Sequence, residues 1–376
     1  MSPHFADLRT ITHGAESYTQ GFDPMIENPE DPWQRKLNYP RIWQGLYSIG
    51  INETHTTYLG IGIIFSFLIG VCLFLPNASN TIMAVVFGAL ISPATLLGVE
   101  RCNIDLLMFF LVSVAVVGGR RSNILSSLAI FISFTLKLFP IFAWILLLRA
   151  GKSRFLLYTL VMLAFVGLYT FATYSDILWI RQVTPRSIYM SYGMNAVWMG
   201  LSIYNETLGA YMHLLSYLLI LLIFVLAFSA FFRNDHMPGQ KNEIVYFDAF
   251  RAGSAIYVGT FLLGNNWDYR LVFLMFTIPQ LILWTKHSTT SVSSISKVTI
   301  SAILISLWHL EISRALLYLP YGFHIDFILD EMFNWIAFSG LVYLLIWSLP
   351  TWAKEFTQKQ HPLTRLSTWQ LFRCGG

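Results

Sequence analysis

Three basic residues stand where a charge is expensive. Lys137 is the single charged side chain between residues 124 and 148, Arg101 follows an apolar run in Glu100-Arg101-Cys102-Asn103-Ile104-Asp105, and Arg270 closes Gly264-Asn265-Asn266-Trp267-Asp268-Tyr269-Arg270. Ionisable groups at a membrane margin are rare and tend to be functional. Together with Arg314 they predict a basic ring near the lipid headgroup level. Such a ring suits a phosphate, which Arg grips through a planar fork and Lys meets as a point charge. The plainer alternative is structural ion pairing with the sequence neighbours Glu100, Asp105, Asp268 and Glu311. Lys137 has no acid near it in sequence and would otherwise sit unpaired in the membrane.

A second group of polar residues lies in the first 56 positions. These read Asp7-Leu8-Arg9, then Glu16-Ser17-Tyr18-Thr19-Gln20-Gly21-Phe22-Asp23-Pro24, then Asn38-Tyr39-Pro40-Arg41-Ile42-Trp43. Aromatics, amides and acids mixed in this way suit sugars, whose faces pack on rings while their hydroxyls bond to side chains. Residues 11–18 are expected to form a short helix ending before Gly21. Asp23-Pro24 also reads as a turn start. Asp7 also reads as a helix N-cap or a solvated loop acid. No other catalytic pattern is present: His309 and Glu311 lack the HExxH spacing, and there is no P-loop, no GxGxxG after a strand and no GxSxG elbow. Asp326 and Asp330 are spaced i, i+4 and are expected in a solvated outer loop. Cys72, Cys102 and Cys374 are far apart, so neither a disulfide framework nor a zinc site is expected, and no metal is assigned.

The elements that must position these residues are membrane helices. Of 376 residues, 55% are hydrophobic and only 12% charged, against roughly 25% charged in soluble proteins, which excludes an ordinary soluble enzyme. The net charge of +4 is what membrane proteins accumulate in cytoplasmic loops, so nucleic-acid binding is set aside. Full spans are expected at 57–76, 81–97, 103–118, 155–173, 210–232, 250–264, 271–285, 298–312 and 332–349. The stretch 124–148 is broken by Pro140 and flanked by Arg120 and Arg121 before and Arg149, Lys152 and Arg154 after. Positive residues at both ends place both ends in the cytoplasm, which makes the stretch a short re-entrant or broken hairpin with Lys137 at its tip. The fold class expected is therefore an all-α, polytopic transmembrane helical bundle with about nine full spans plus that hairpin. With it, Lys and Arg favour the inside and most acids fall outside, so the N-terminus is outside and the C-terminus inside. An external head with no apolar segment before it predicts a further transmembrane helix upstream. The division expected is an extracytoplasmic loop at 1–56, a membrane domain at 57–350 and a cytoplasmic tail at 351–376. The Ser/Thr-rich residues 288–296 read as a cytoplasmic linker.

Read in order, Asp7, Tyr18, Gly21-Phe22-Asp23-Pro24, Glu100-Arg101-Cys102-Asn103-Ile104-Asp105 and Leu136-Lys137-Leu138-Phe139-Pro140 resemble family 87 glycosyltransferases, with a looser match at Asn265-Asn266-Trp267-Asp268-Tyr269-Arg270. These are GT-C-fold membrane enzymes that use polyprenyl-phosphate sugars and include polyprenol-phosphate-mannose mannosyltransferases. Cys102 departs from the pattern, standing where the family usually has Gly.

The resemblance implies a hexosyltransferase of the cell (inner) membrane, moving a mannose-like sugar from a polyprenyl phosphate to a lipid or glycan acceptor on the extracytoplasmic face. Asp7 matches the first-loop acid that acts as general base. Lys137, Arg101 and Arg270 would hold the donor phosphate, and Tyr18, Asp23 and Asn266 would touch sugar. No cofactor is implied beyond the lipid-linked donor, and the partners are that donor, the acceptor and membrane lipids. Two other functions fit the same residues: a lipid-linked oligosaccharide ligase, and a transporter or lipid flippase whose broken hairpin lines the substrate path.

Overall fold

The computed structural model describes residues 4–232, 244–287, 289–316 and 318–358. The chain opens with α1 (Ala6–Thr19), longer than the helix expected at 11–18, and continues through a 3-10 helix at Arg41–Ile49. The apolar helices follow: α2 (Thr56–Leu73), α3 (Asn80–Leu90), α4 (Pro93–Arg101), α5 (Asp105–Gly118) and α6 (Asn123–Leu136), then a 3-10 helix at Phe139–Ala150 and α7 (Lys152–Ala172). Next come α8 (Tyr174–Val183), the strand β1 (Ser191–Tyr192), α9 (Ala196–Ser202), α10 (Glu206–Phe228) and α11 (Ile244–Leu263). The last part holds β2 (Asn266–Trp267), a 3-10 helix at Asp268–Phe276, α12 (Ile278–His287), α13 (Thr290–Leu316), α14 (Gly322–Trp347) and α15 (Thr351–Gln358). Among the described residues the only sheet is the antiparallel pairing of β1 with β2, so the fold is all-α.

Among the described residues, five helices are long and apolar enough to cross a membrane: those ending at Leu73, Ala172, Phe231, Leu316 and Trp347. A sixth is added if α3 and α4 form one broken span, since they meet at 54°. The expected single span at 81–97 breaks there because Pro93 disfavours a helical conformation at Ser92, which is instead extended and caps α4 with its hydroxyl. The expected span at 271–285 is likewise two pieces, a 3-10 helix and α12. Residues 250–263 of the expected span 250–264 lie in α11, nearly all of which is buried inside the bundle. One further reading changes. The expected linker at 288–296 is helical from Thr290 onward, and Ser288 lies outside the described residues, as do Cys374 and the tail beyond 358.

Residues 123–150 fold back on themselves. Arg149 Nε approaches Asn123 Oδ1 at 3.4 Å, so the start of one arm lies beside the end of the other. The turn is made at Lys137, whose backbone is extended, followed by Pro140 in the first turn of the 3-10 arm. Helix α5 is clamped beneath the polar end by aromatic packing. Phe109 stacks on Phe276 at 4.2 Å and meets Phe67, Phe74 and Phe273 at 5.0 to 5.9 Å. Each such pair contributes about 0.5 to 1.5 kcal/mol beyond area burial, so α2, α5 and the 3-10 helix at Asp268–Phe276 keep a fixed register.

The head is docked rather than loose. Phe5, with a left-handed backbone, lays its ring on α2 at Gly60, where an added Cβ would come within 2.6 Å of it. Its N–H donates to the Glu100 carbonyl at 3.2 Å. Thr12 and Thr56 hydroxyls meet at 2.7 Å, and Trp43 Nε1 donates to the Leu136 carbonyl at 3.0 Å, one residue before the hairpin tip.

Candidate functional site

The first turn of α1 puts Asp7 against the C-terminal end of α4. Arg101 grips it with both prongs, Nη2 to Oδ1 at 2.6 Å and Nε to Oδ2 at 3.1 Å. Asn103 Nδ2 donates to Oδ2 at 2.6 Å, and Arg35 Nη1 to Oδ1 at 3.4 Å. Asp7 is therefore not a helix cap: Phe5 holds that position and makes no side-chain cap bond. Arg35 is itself fixed by Asp31 at 2.8 Å and by the Ala6 carbonyl at 2.5 Å.

Asn103 links this pair to a second one. Its Oδ1 accepts from Lys137 Nζ at 3.0 Å and from the Asp105 N–H at 2.9 Å. Asp105, almost fully buried, lies 2.5 Å from Lys137 Nζ through Oδ1 and 3.1 Å from Arg270 Nε through Oδ2. Arg270 also donates to Asn266 Oδ1 at 2.5 Å and lies over the Phe139 ring at 4.3 Å. Lys137 Nζ faces the Tyr39 ring at 5.1 Å. Burial, with the charge of Asp7 adding to it, pushes the Tyr39 hydroxyl well above its usual range, so the ring stays neutral beside the ammonium.

Four separated segments thus meet: the head, the α4–α5 turn, the hairpin tip and the β2 turn. Four cations, Arg35, Arg101, Lys137 and Arg270, face three carboxylates, Asp7, Asp31 and Asp105, which leaves one positive charge in excess. The acids lie deeper than the bases, since Asp105 is 1% exposed on its side chain and Arg101 23%. A short turn explains the arrangement. Cys102 ends α4 with φ +46, the left-handed conformation that glycine adopts most easily. It reverses the chain so that Asn103 and Asp105 point back at residues on either side.

No family model matches the chain, and neither a curated protein nor a solved structure is detectably similar to it.

The structure brings Asp7, Arg101, Lys137, Arg270 and Asn266 together. Asn266 is committed within the protein, donating to the Thr260 carbonyl at 2.7 Å while it orients Arg270. Tyr18 and Asp23 lie elsewhere. Tyr18 sits eleven residues along α1 from Asp7, about 16 Å away at 1.5 Å per residue, and packs on Tyr47 at 5.7 Å. Asp23 accepts from the Met25 N–H, from Gln44 at 3.1 Å and from Arg41 at 2.9 Å, and Arg41 continues to Asp176 on α8. Arg314 pairs with Glu311 at 2.7 Å on an exposed face and takes no part in the ring.

The pairing alternative holds locally only for Arg314. Arg101, Lys137 and Arg270 pair instead with acids distant in sequence. Sequence reasoning missed Asp105 as the shared acid, Asn103 as the bridge and Arg35 as a second partner of Asp7, although Asn103 and Asp105 stood in the quoted motif. It also placed Asp326 and Asp330 in a solvated loop. Both are buried on α14, where Asp326 lies 2.7 Å from His309. The physical reason is that α14 begins at Gly322 and packs these positions against α13.

Proposed function

We propose that the chain is a multi-pass, GT-C type glycosyltransferase of the cell's inner membrane, moving a mannose-like hexose from a polyprenyl-phosphate donor to a lipid or glycan acceptor on the extracytoplasmic face. One observation carries this reading: the carboxylate of Asp7 on the docked head is held by Arg101 and joined through Asn103 to Lys137, at the tip of a doubled-back apolar hairpin, which shares Asp105 with Arg270. In this reading nine full spans and the short hairpin cross or enter the bilayer, with the N-terminus outside and the C-terminus inside. The short crossing α5, like the longer α11, is shielded inside the bundle.

The chemistry follows from the pairs. Asp7 accepts four hydrogen bonds, which fills its lone pairs and leaves no room for an acceptor hydroxyl. A donor phosphate entering the site competes for Arg101 and frees one edge of Asp7. Asp7 then takes the proton from the acceptor hydroxyl as that oxygen attacks the anomeric carbon. The bond from that carbon to the phosphate oxygen breaks, and the lipid phosphate leaves with the electron pair. Its second negative charge develops beside Arg101, Lys137 and Arg270, which favours the transition state over the bound donor. Positioning and fixed charge can carry this step without a metal at Asp7. Tyr18 and Asp23, at the far end of the head, would meet the distal part of a glycan acceptor.

The test is transfer of labelled mannose from polyprenyl-phosphate mannose in membranes carrying the protein. Asp7→Asn should lower turnover by at least about a hundredfold, the usual share of a positioned general base. Undiminished transfer in Asp7→Asn removes the base from this site. If folded protein consumes no donor at all, the transporter or flippase reading takes precedence. That reading draws on an apolar cavity of about 1230 Å³ bounded by α9, α10, α13 and α14.

A further inference from the structure

A second polar cluster lies apart from Asp7, where the end of β2 meets α13 and α14. Asp268, His309 and Asp330 each offer a ligating atom, and these atoms all fall within 4.8 Å of one another. Each of the three residues is more than nine-tenths buried, as is Asp326 beside them. Asp326 Oδ1 lies 2.7 Å from His309 Nε2, and Asp330 Oδ1 lies 3.5 Å from His309 Nδ1. Neither imidazole nitrogen, nor Asp268 Oδ1, nor Asp326 Oδ1 makes a hydrogen bond. The remaining bonds are few: Ser313 donates to Asp326 Oδ2 at 2.9 Å and Asn334 to Asp330 Oδ1 at 2.9 Å. Among the described residues, no Lys or Arg forms an ion pair with any of these three carboxylates.

Buried carboxylates without a cation are costly, and each buried polar atom ordinarily finds a partner. A neutral imidazole cannot serve both acids, because one of its nitrogens carries a lone pair that would face an oxygen. We propose that Asp268, His309 and Asp330 bind one divalent transition-metal ion of the Mn²⁺ or Zn²⁺ class, with Asp326 facing the other imidazole nitrogen and orienting the ring. The donor set decides the class. One imidazole with carboxylates suits these ions, whereas Ca²⁺ and Mg²⁺ favour oxygen alone and thiolate-seeking ions find no Cys here. Donors about 2.1 Å from a shared ion lie at most about 4.2 Å apart, so the observed spread closes with shifts of less than an ångström. The ion would tie the start of the 3-10 helix at Asp268–Phe276 to α13 and α14. Arg270 lies two residues beyond Asp268, so the ion would act as a positioning element for that guanidinium and not at the reacting atoms.

The experiment uses the full chain, purified in micelles and stripped with a chelator, then titrated with Mn²⁺ and followed by electron paramagnetic resonance. The expected result is about one Mn²⁺ per chain, displaced by Zn²⁺, with nitrogen hyperfine coupling from a single imidazole that His309→Gln removes. Asp268→Asn and Asp330→Asn should each weaken binding by more than about tenfold, while the exposed Glu311→Gln binds as wild type. Folded wild-type protein that takes up neither ion, or binds Mn²⁺ without nitrogen coupling, overturns the site. So does undiminished binding in both Asp variants. Should those variants fail to fold, stoichiometry and coupling in the wild type still decide, and neither depends on transferase activity.

Discussion

Asp7 and Arg101, 94 positions apart, form a two-pronged ion pair that joins the head to the end of α4. The pair holds the proposed base and one proposed phosphate ligand in each other's grip. Its consequence is order: the donor must bind before the acceptor can be activated.

Arg101→Lys keeps the charge and removes the fork. A lysine cannot hold Asp7 and hand over to a phosphate through a second prong. Donor KM should rise by roughly tenfold, in line with the loss of a bidentate charge-assisted contact, while Asp7→Asn acts mainly on turnover. Steady-state kinetics on the two variants separate these effects, and identical changes in KM and turnover would contradict the division.

Asp105 serves Lys137 and Arg270 at once. Asp105→Asn leaves two buried cations uncompensated and should destabilise the protein by about 3 to 5 kcal/mol, read as a lowered thermal midpoint in micelles. Lys137→Ala removes only one of its two partners, so its midpoint should fall less while transfer is lost. A Lys137→Ala variant with full transfer would end the phosphate role of that residue.

Asp23 predicts a pH dependence. Burial alone would raise its pKa, but hydrogen bonds from Arg41, the Met25 N–H and Gln44, with the Arg41 charge, hold it below 3.8. A folded pKa below the unfolded one means its stabilisation is complete above the unfolded value and is lost as pH falls through the folded one. Thermal midpoints of wild type and Asp23→Asn should therefore differ most near pH 6 and converge below pH 3.8. A difference that grows on acidification would reverse the sign and refute the pairing.

Gly60 is required by the Phe5 ring. Gly60→Val places carbon where the ring lies, with an overpacking penalty of about 1 to 3 kcal/mol, and pushes the start of α1 away from Arg101. Transfer should drop, and Phe5→Ala in the same chain should recover stability. Failure of that second substitution to help would mean that the clash is absorbed elsewhere.

Cys102 bears the left-handed turn. Cys102→Gly relaxes a backbone strain of about 1 to 2 kcal/mol and gives up a buried thiol, so its stability should stay within about 1 kcal/mol of wild type. Cys102→Val, β-branched at positive φ, should unfold at clearly lower temperature. Equal midpoints for the two would show that the turn is not strained.

Composition carried the helical class, and the basic residues at both ends of 124–148 with Pro140 carried the doubling back at Lys137; the expected ring brought Arg101, Lys137 and Arg270 near one another but wrongly included Arg314, which is held by Glu311 on an exposed face. The pairing partners were not legible. Asp105 reaches Lys137 and Arg270 only through the reversal at Cys102, and nothing local to either cation names it. The break at Ser92 was signalled by the following proline but was masked by the surrounding hydrophobicity. Asp326 and Asp330 misled for the opposite reason: their charge implied solvent, whereas packing of α14 on α13 buries them.

The hairpin arms have a further consequence. The fourteen residues of α6 reach about 21 Å, short of the roughly 30 Å hydrocarbon core, so in a bilayer neither arm measures depth by its own length. Height and azimuth of the ammonium are set instead by the Trp43 indole and the α5 end, which act together as a ruler and a stop. One residue inserted into α6 would turn Lys137 by about 100° and lift it about 1.5 Å. The ammonium would then be turned away from Asp105.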